Sequence, residues 1–401
     1  MRGIARLAVV GGLVAGMMAC NEHISSPSPC PDNCVVGPEV HDTVILAALG
    51  EDSSFSGYLA LDQAFSMRVS TGLITAEDRA WLRFFPRSDS VLIPGDSLRP
   101  YAVDSAAIDL YLQARDTTVK GLVIRIYRLP SNTDSTITYS QLDGYVNDPL
   151  RLIGTIPVAD TLLAGRLRIG FSGLDTAKVH LTPADSGRLA LGFRIEADSA
   201  TGVLLGTSLV SGQAARFFSY VTAATPDTLL EHQTLIRSAE FQGTRQSNVV
   251  TPGPDYLPVG GDPSSRALIR FDLPPAIRNT AYIIRATLEL IPTQPINGLP
   301  NLPITVLVKG VLADLGAKSP TSSLSSRSDT IPVGSTAPVE TEIVNIVRSW
   351  KSIYGVPQTM LVQLTQEGSS FSVPVFGSTR IAGYEPRLHI TYQFPYGFQR
   401  P

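Results

Sequence analysis

Charge is scarce in this chain. Of its 401 residues only 17% are Asp, Glu, Lys or Arg, against roughly a quarter in an average soluble domain. The 32 basic and 35 acidic residues are scattered singly and leave a net charge of -3. A nucleic-acid binder needs a basic stripe to displace counterions from phosphates, so that class is excluded. Histidine is scarcer still: His23, His41, His180, His232 and His389 include no pair at metal-ligand spacing, so no metal centre is expected. Nor does any serine sit in a Gly-x-Ser-x-Gly elbow, or any glycine-rich strand-to-helix loop await a phosphate. Asp255 to Asp262 offers two carboxylates where a calcium site wants six to eight oxygens. No cofactor is expected, and catalysis has no visible foothold.

What is abundant points to strands. Hydrophobic residues make up 43%, which rules out disorder throughout, and 33 Gly with 30 Pro exceed ordinary usage. Together with Ser, Thr and Val they favour many short strands joined by turns. The length predicts two or three domains, each large enough for its own core.

Arg2 and Arg6 precede an apolar run, Leu7 to Met18, that ends in Ala19 and Cys20. This pattern reads as a secretory signal, and the run is too short to span a bilayer as a helix. Met17-Met18-Ala19-Cys20 resembles the lipobox of bacterial lipoproteins. The resemblance implies cleavage of residues 1–19 and lipidation of Cys20, with the acyl chains holding the protein to a membrane. The other reading is ordinary cleavage near Ala19 with Cys20 free. Because Asn21 is not the aspartate that retains some lipoproteins at the inner membrane, the outer membrane is expected, at its periplasmic or cell-surface face. Loss of Arg2 and Arg6 leaves 30 basic against 35 acidic residues, a net -5. Residues 20–40 are Ser- and Pro-rich and read as a tether. Cys30 and Cys34 lie within it, at a spacing that suits a small disulfide loop in an oxidising compartment.

Beyond the tether the chain repeats itself. Arg79-Ala80-Trp81-Leu82-Arg83-Phe84 matches Arg266-Ala267-Leu268-Ile269-Arg270-Phe271, and Ala106-Ala107-Ile108-Asp109-Leu110 matches Ala286-Thr287-Leu288-Glu289-Leu290. Near the end of each half, Gly206 and Gly377, Gly212 and Gly383, and Arg216 and Arg387 are each 171 residues apart. Apolar and polar residues alternate in both copies, the pattern of strands buried on one face. The predicted fold is all-β, two tandem antiparallel β-sandwich (jelly-roll-like) domains at 41–222 and 228–395, divided near Thr225-Pro226-Asp227. Glu340 to Trp350 carries helical spacing, and Val158 to Leu163 is a weaker helix candidate in the first half.

The second half resembles the DNRLRE domain, a jelly-roll-like sandwich of secreted bacterial proteins related to carbohydrate-binding modules. The residues that carry this are Arg266 to Leu273, Ala286 to Leu290, the helix ending at Trp350, and Pro386-Arg387-Leu388-His389-Ile390-Thr391-Tyr392. The resemblance implies a fold rather than a catalytic apparatus. The first half is a more distant copy, with Phe85 where the second has Asp272.

Trp81 falls on the same strand side as Arg79 and Arg83. There the arginine stems could cover its ring, and an exposed tryptophan on a sandwich face is a common platform for a pyranose. These three residues are the candidate ligand-binding set, with burial of Trp81 against a loop or the other domain as the competing reading. Recurrence of Arg83 as Arg270 favours a structural ion pair, with Asp109 and Glu289 as the expected partners. The sequence therefore reads as a non-enzymatic, lipid-anchored envelope protein that presents a binding, adhesion or structural surface to polysaccharide or another envelope protein. The alternative is a polysaccharide-processing lyase or hydrolase in which one sandwich recruits glycan.

Overall fold

The computed structural model describes residues 39–59, 63–73, 77–93, 97–224, 230–248 and 253–395. The signal, the tether up to residue 38 and all three cysteines, Cys20, Cys30 and Cys34, lie outside the described residues, while Val40 at the expected end of the tether already belongs to a strand. Of the described residues 48% are in strands and 12% in helix, and the fold is all-β. The first strands are β1 (Val40–Leu46), β2 (Ser53–Ser56), β3 (Ser66–Thr71), β4 (Asp78–Phe84), β5 (Ser90–Leu92), β6 (Leu98–Arg115) and β7 (Val123–Leu129). Helix α1 (Tyr139–Val146) leads to β8 (Leu152–Pro157), β9 (Gly165–Ser172), β10 (Ala190–Glu196), β11 (Thr201–Gly206), β12 (Arg216–Ala224) and β13 (Leu230–Gln246). There follow β14 (Tyr256–Pro258), β15 (Ser265–Arg270), β16 (Tyr282–Leu290), β17 (Ile304–Val311), β18 (Thr321–Ile331) and β19 (Val339–Glu342). Helix α2 (Val344–Arg348), β20 (Thr359–Leu364), β21 (Val375–Gly377) and β22 (Arg387–Gln393) close the chain.

Every pairing is antiparallel, and the strands build two sandwiches. In the first, β3-β11-β6-β12 forms one sheet and β4-β10-β7-β8 the other, and β13 runs through both. Its start pairs with β12 and its end with β4, after a register shift between Ala239 and Phe241. In the second, β1-β22-β16-β19 faces β18-β17-β20-β15-β2. Alternating strands such as β9 and β12 bury one face only. Leu82, Phe84, Ile108, Phe193 and Phe217 fill the first core, and Ile269, Leu288, Val306, Trp350 and Leu388 the second. Phe193→Ala alone would cost about 3–5 kcal/mol, through lost burial and the cavity left behind.

The expected boundaries need correction. β1 and β2, placed by chain order in the first domain, pair with β22 and β15 of the second sandwich. Conversely β13, placed in the second, completes the first. Ala224 pairs with Leu230, so the stretch expected to divide the domains joins two strands of one sandwich. A short connection makes that hairpin cheap in loop-closure entropy. The first sandwich is thus continuous, from Ser66 to Gln246, and is inserted between β2 and β14 of the second.

The repeat extends to this arrangement. β1 with β2 does for the second sandwich what β13 does for the first: Leu46 faces Arg387 as Ser238 faces Arg216. The next residue in each is a buried alanine, Ala47 or Ala239. The paired glycines also have one cause. A Cβ on Gly206 would lie 2.5 Å from the Gln213 carbonyl oxygen, and one on Gly377 2.3 Å from the Tyr384 Cβ. The turn that closes over each glycine bonds alike: Val210 and Ile381 N–H donate to the Thr207 and Ser378 carbonyls, and Gln213 and Tyr384 to those of Val210 and Ile381. Gly212 and Gly383 within it take φ of +77° and +86°, where a Cβ is strained.

The helix expectations hold only in part. The predicted segment Glu340 to Trp350 divides, with β19 up to Glu342 and α2 covering Val344–Arg348. Val158 to Leu163 is a loop. The unforeseen α1 is started by Thr138, whose hydroxyl caps the Gln141 N–H while the Gln141 side chain accepts from Thr138.

Candidate functional site

Trp81 lies on the predicted side of β4, yet it is fully buried. Helix α1 lies over it, and Leu142 and Val146 join Tyr127, Leu129 and Ile137 around the ring. β4 is consequently buried on both faces, and no sugar can stack on this tryptophan as the fold stands. Arg79 is held by Asp143 at 2.9 Å and by the Ser70 carbonyl at 2.9 Å. Arg83 pairs with Glu240 at 3.1 Å and stacks over Phe241. The candidate set is thus consumed in fastening α1 and β13 to β4. The expected partners were also wrong: Arg270 pairs with Asp314, while Asp109 pairs with Arg168 and Glu289 with Arg387. Asp109 and Glu289 lie in the sheets opposite those of Arg83 and Arg270, so a sandwich core separates them.

The structure instead draws attention to a cleft of about 440 Å³ between the sandwiches. Phe65, Ser66, Gln113, Leu204 and Gln213 come from the first, and Leu299, Thr305, Gln366, Ser369, Phe371 and Ser372 from the second. Leu204, Leu299 and Phe371 make a buried apolar floor. Gly202 of β11 permits it, because a Cβ there would lie 2.7 Å from the Phe371 ring. The walls are joined by the Ser66 N–H, which donates to Ser369 Oγ at 3.1 Å. Gln113 is fixed by donating to the Phe65 carbonyl at 3.1 Å and to the Gln213 side chain, and by accepting from Ser66 Oγ.

Every described side chain lining this cleft is uncharged. Phe65 stands at the mouth with 56% of its surface exposed. Ser372 Oγ is buried in the wall and makes no hydrogen bond, an unmet polar group that a ligand or water would satisfy. Sequence alone could not assemble the site, because its residues come from separate loops and strands that share no motif.

A buried ionic pair pins the sandwiches beside the cleft. Arg68 of β3 donates to Asp78 at 3.2 Å and lies 3.9 Å from Asp262 of the second sandwich. Burial pushes both carboxyls above the ordinary range, and the Arg68 charge opposes that push at each. Among the described residues no group of three His, Cys, Asp or Glu side chains could hold a metal ion, and no helix is long and apolar enough to cross a membrane.

No family model and no curated protein matches the chain. Among solved structures it is similar to the N-terminal CBM22-1-CBM22-2 tandem domain from Paenibacillus barcinonensis Xyn10C, at 9% identity over 88% of this chain and 99% of that one, with a TM-score of 0.15. It is similar also to BspA_C_mut, at 10% identity over 90% and 91% of the two chains, with a TM-score of 0.16. Likeness at this level assigns no ligand.

Proposed function

We propose that the protein is a non-enzymatic binding protein of the cell envelope, anchored through lipid on Cys20, and that the cleft between its sandwiches receives a neutral glycan. The uncharged lining supports this reading. Sugar hydroxyls both donate and accept, and so do the amides of Gln113, Gln213 and Gln366 and the hydroxyls of Ser369 and Thr305. The apolar face of a pyranose matches Phe65 and the leucine floor. A pocket of this size at a domain interface falls in the usual range for small ligands. Glycoside cleavage is normally driven by two carboxylic residues flanking the bond, and the described lining offers amides and hydroxyls instead, so holding is favoured over cutting.

The test is a titration of mature protein with neutral envelope oligosaccharides, with released product assayed in the same samples. Binding that Phe65→Ala and Gln366→Ala weaken by roughly tenfold each supports the reading. Product release, or binding that both variants leave intact, refutes it. For the anchor, Cys20→Ser should abolish fatty-acid labelling and move the protein to the soluble fraction, and unchanged labelling would count against it.

A further inference from the structure

The chain is acidic overall, yet one seam of the first sandwich collects arginines. Past the end of β4, the Phe85 N–H donates to Ser238 of β13 at 3.1 Å, and the Arg87 N–H donates to Gly187 at 2.7 Å. This brings Arg83, Arg87, Arg188 and Arg237 to one edge. Glu240, three residues beyond Arg237, is shared by Arg83 at 3.1 Å and Arg188 at 3.2 Å. Both contacts fall on its Oε2.

Among the described residues, Arg87 and Arg237 have no carboxylate partner. Arg237 donates through Nη2 to Ser219 Oγ at 3.3 Å and lies over the Phe217 ring at 5.5 Å. Arg87 lies over the Tyr101 ring at 5.5 Å, and the Tyr101 hydroxyl donates to the Ser88 carbonyl at 2.6 Å. Arg237 Nη1 and Arg87 Nε are buried and make no hydrogen bond. Burial and then the neighbouring Arg87 charge bring the Arg237 guanidinium down to about 10, with only Tyr101 acting the other way. Asp89 acts on Tyr101 and is exposed; it does not neutralise Arg237. Two half-buried cations, each with a buried donor unmet, are costly to hold side by side unless an anion joins them.

We propose that Arg87 and Arg237 bind a single oxyanion group, a carboxylate or a sulfate, at this seam of the first sandwich. A guanidinium presents a flat fork of donors that matches two oxygens of such a group. Tyr101 and Phe217 hold the forks by their faces, and Ser219 fixes one edge of Arg237. The site lies on the first sandwich alone and is separate from the uncharged cleft, so the two can succeed or fail independently.

The test uses mature protein titrated with sodium sulfate against sodium chloride at matched ionic strength, and then with oligogalacturonate and its uncharged methyl ester. Thermal unfolding and calorimetry are read together. Sulfate should raise Tm beyond chloride, and Arg87→Gln with Arg237→Gln should weaken sulfate binding by roughly tenfold or more. Arg327→Gln, on an exposed site of the second sandwich, should change nothing. Arg237→Lys keeps the charge without the fork and should bind with intermediate strength, which loss of fold would not produce. Oligogalacturonate that competes with sulfate identifies an acidic polysaccharide as the source, while binding of sulfate alone identifies a free inorganic anion. A sulfate response of equal size in the double variant overturns the proposal.

Discussion

Asp52 decides which sandwich owns the amino-terminal strands. It lies in the loop between β1 and β2, only 4% exposed, and accepts from the Thr379 N–H at 2.8 Å and its hydroxyl at 2.7 Å. Chain order would give Asp52 to the first sandwich, whereas its partner belongs to the turn after β21 in the second. Asp52→Ala removes two hydrogen bonds to a carboxylate, each worth about 1.5–3 kcal/mol, and leaves donors of Thr379 short of a partner. A loss of about 3 kcal/mol lowers Tm by about 6–12 °C for a unit of about 150 residues. Trp81 and Trp350, both fully buried, report one sandwich each. Fluorescence melts in Trp81→Phe and Trp350→Phe backgrounds therefore read the two transitions separately. The Trp350 transition should fall and the Trp81 transition should hold; the opposite pattern refutes the strand assignment.

Residues 63–248 should fold alone, giving a dispersed amide NMR spectrum, whereas residues 228–395, without β1 and β2, should not; a folded 228–395 fragment would contradict the insertion. Gly206→Ala and Gly377→Ala should each cost about 1–3 kcal/mol through crowding, and differential scanning calorimetry should show each lowering the transition of its own sandwich only. Hydrogen bonds from the Arg270 guanidinium hold the Asp314 carboxyl below its ordinary value. Their contribution is therefore full above the unfolded pKa of about 3.9 and is lost as pH falls through the lower folded value. Arg270→Gln should flatten that acid limb in Tm measured from pH 5 to pH 2, and an unchanged limb would dissociate the pair from acid stability.

Much of this fold could be read from side-chain alternation and turn glycines, because both are local. The recurrence of Gly206 as Gly377 and of Arg216 as Arg387 marked real structural equivalents, since each pair meets the same constraint. The ownership of β1 was not legible. A strand that fits the edge of one copy fits the edge of the other, and only three-dimensional pairing chooses between them. The cover over Trp81 had a signal, the capping pair Thr138 and Gln141, without which a tryptophan between two arginines reads as exposed. The ion pairs of Arg83 and Arg270 were legible as structural but not by partner, since Glu240 and Asp314 lie outside the segments whose repetition shows in the sequence. The cleft and the arginine seam stayed hidden because each is assembled across distant segments.

Insertion has a consequence for the cleft. Two domains in simple tandem are joined by one connection and turn freely about it unless their interface is large. Here the chain crosses twice, once between β2 and β3 and again between β13 and β14, so relative motion is confined to a hinge through both crossings. Arg68, reaching toward Asp262, and the Ser66 contact with Ser369 lie beside those crossings and restrain the hinge further. A ligand in the cleft then meets walls already in register, and less of its binding free energy is spent on ordering them. If Cys20 carries the anchor, the tether enters through β1, and any pull on it falls on the seven-residue β1–β22 ladder of the second sandwich. The first sandwich is loaded only indirectly, through its two crossings and the contacts beside them.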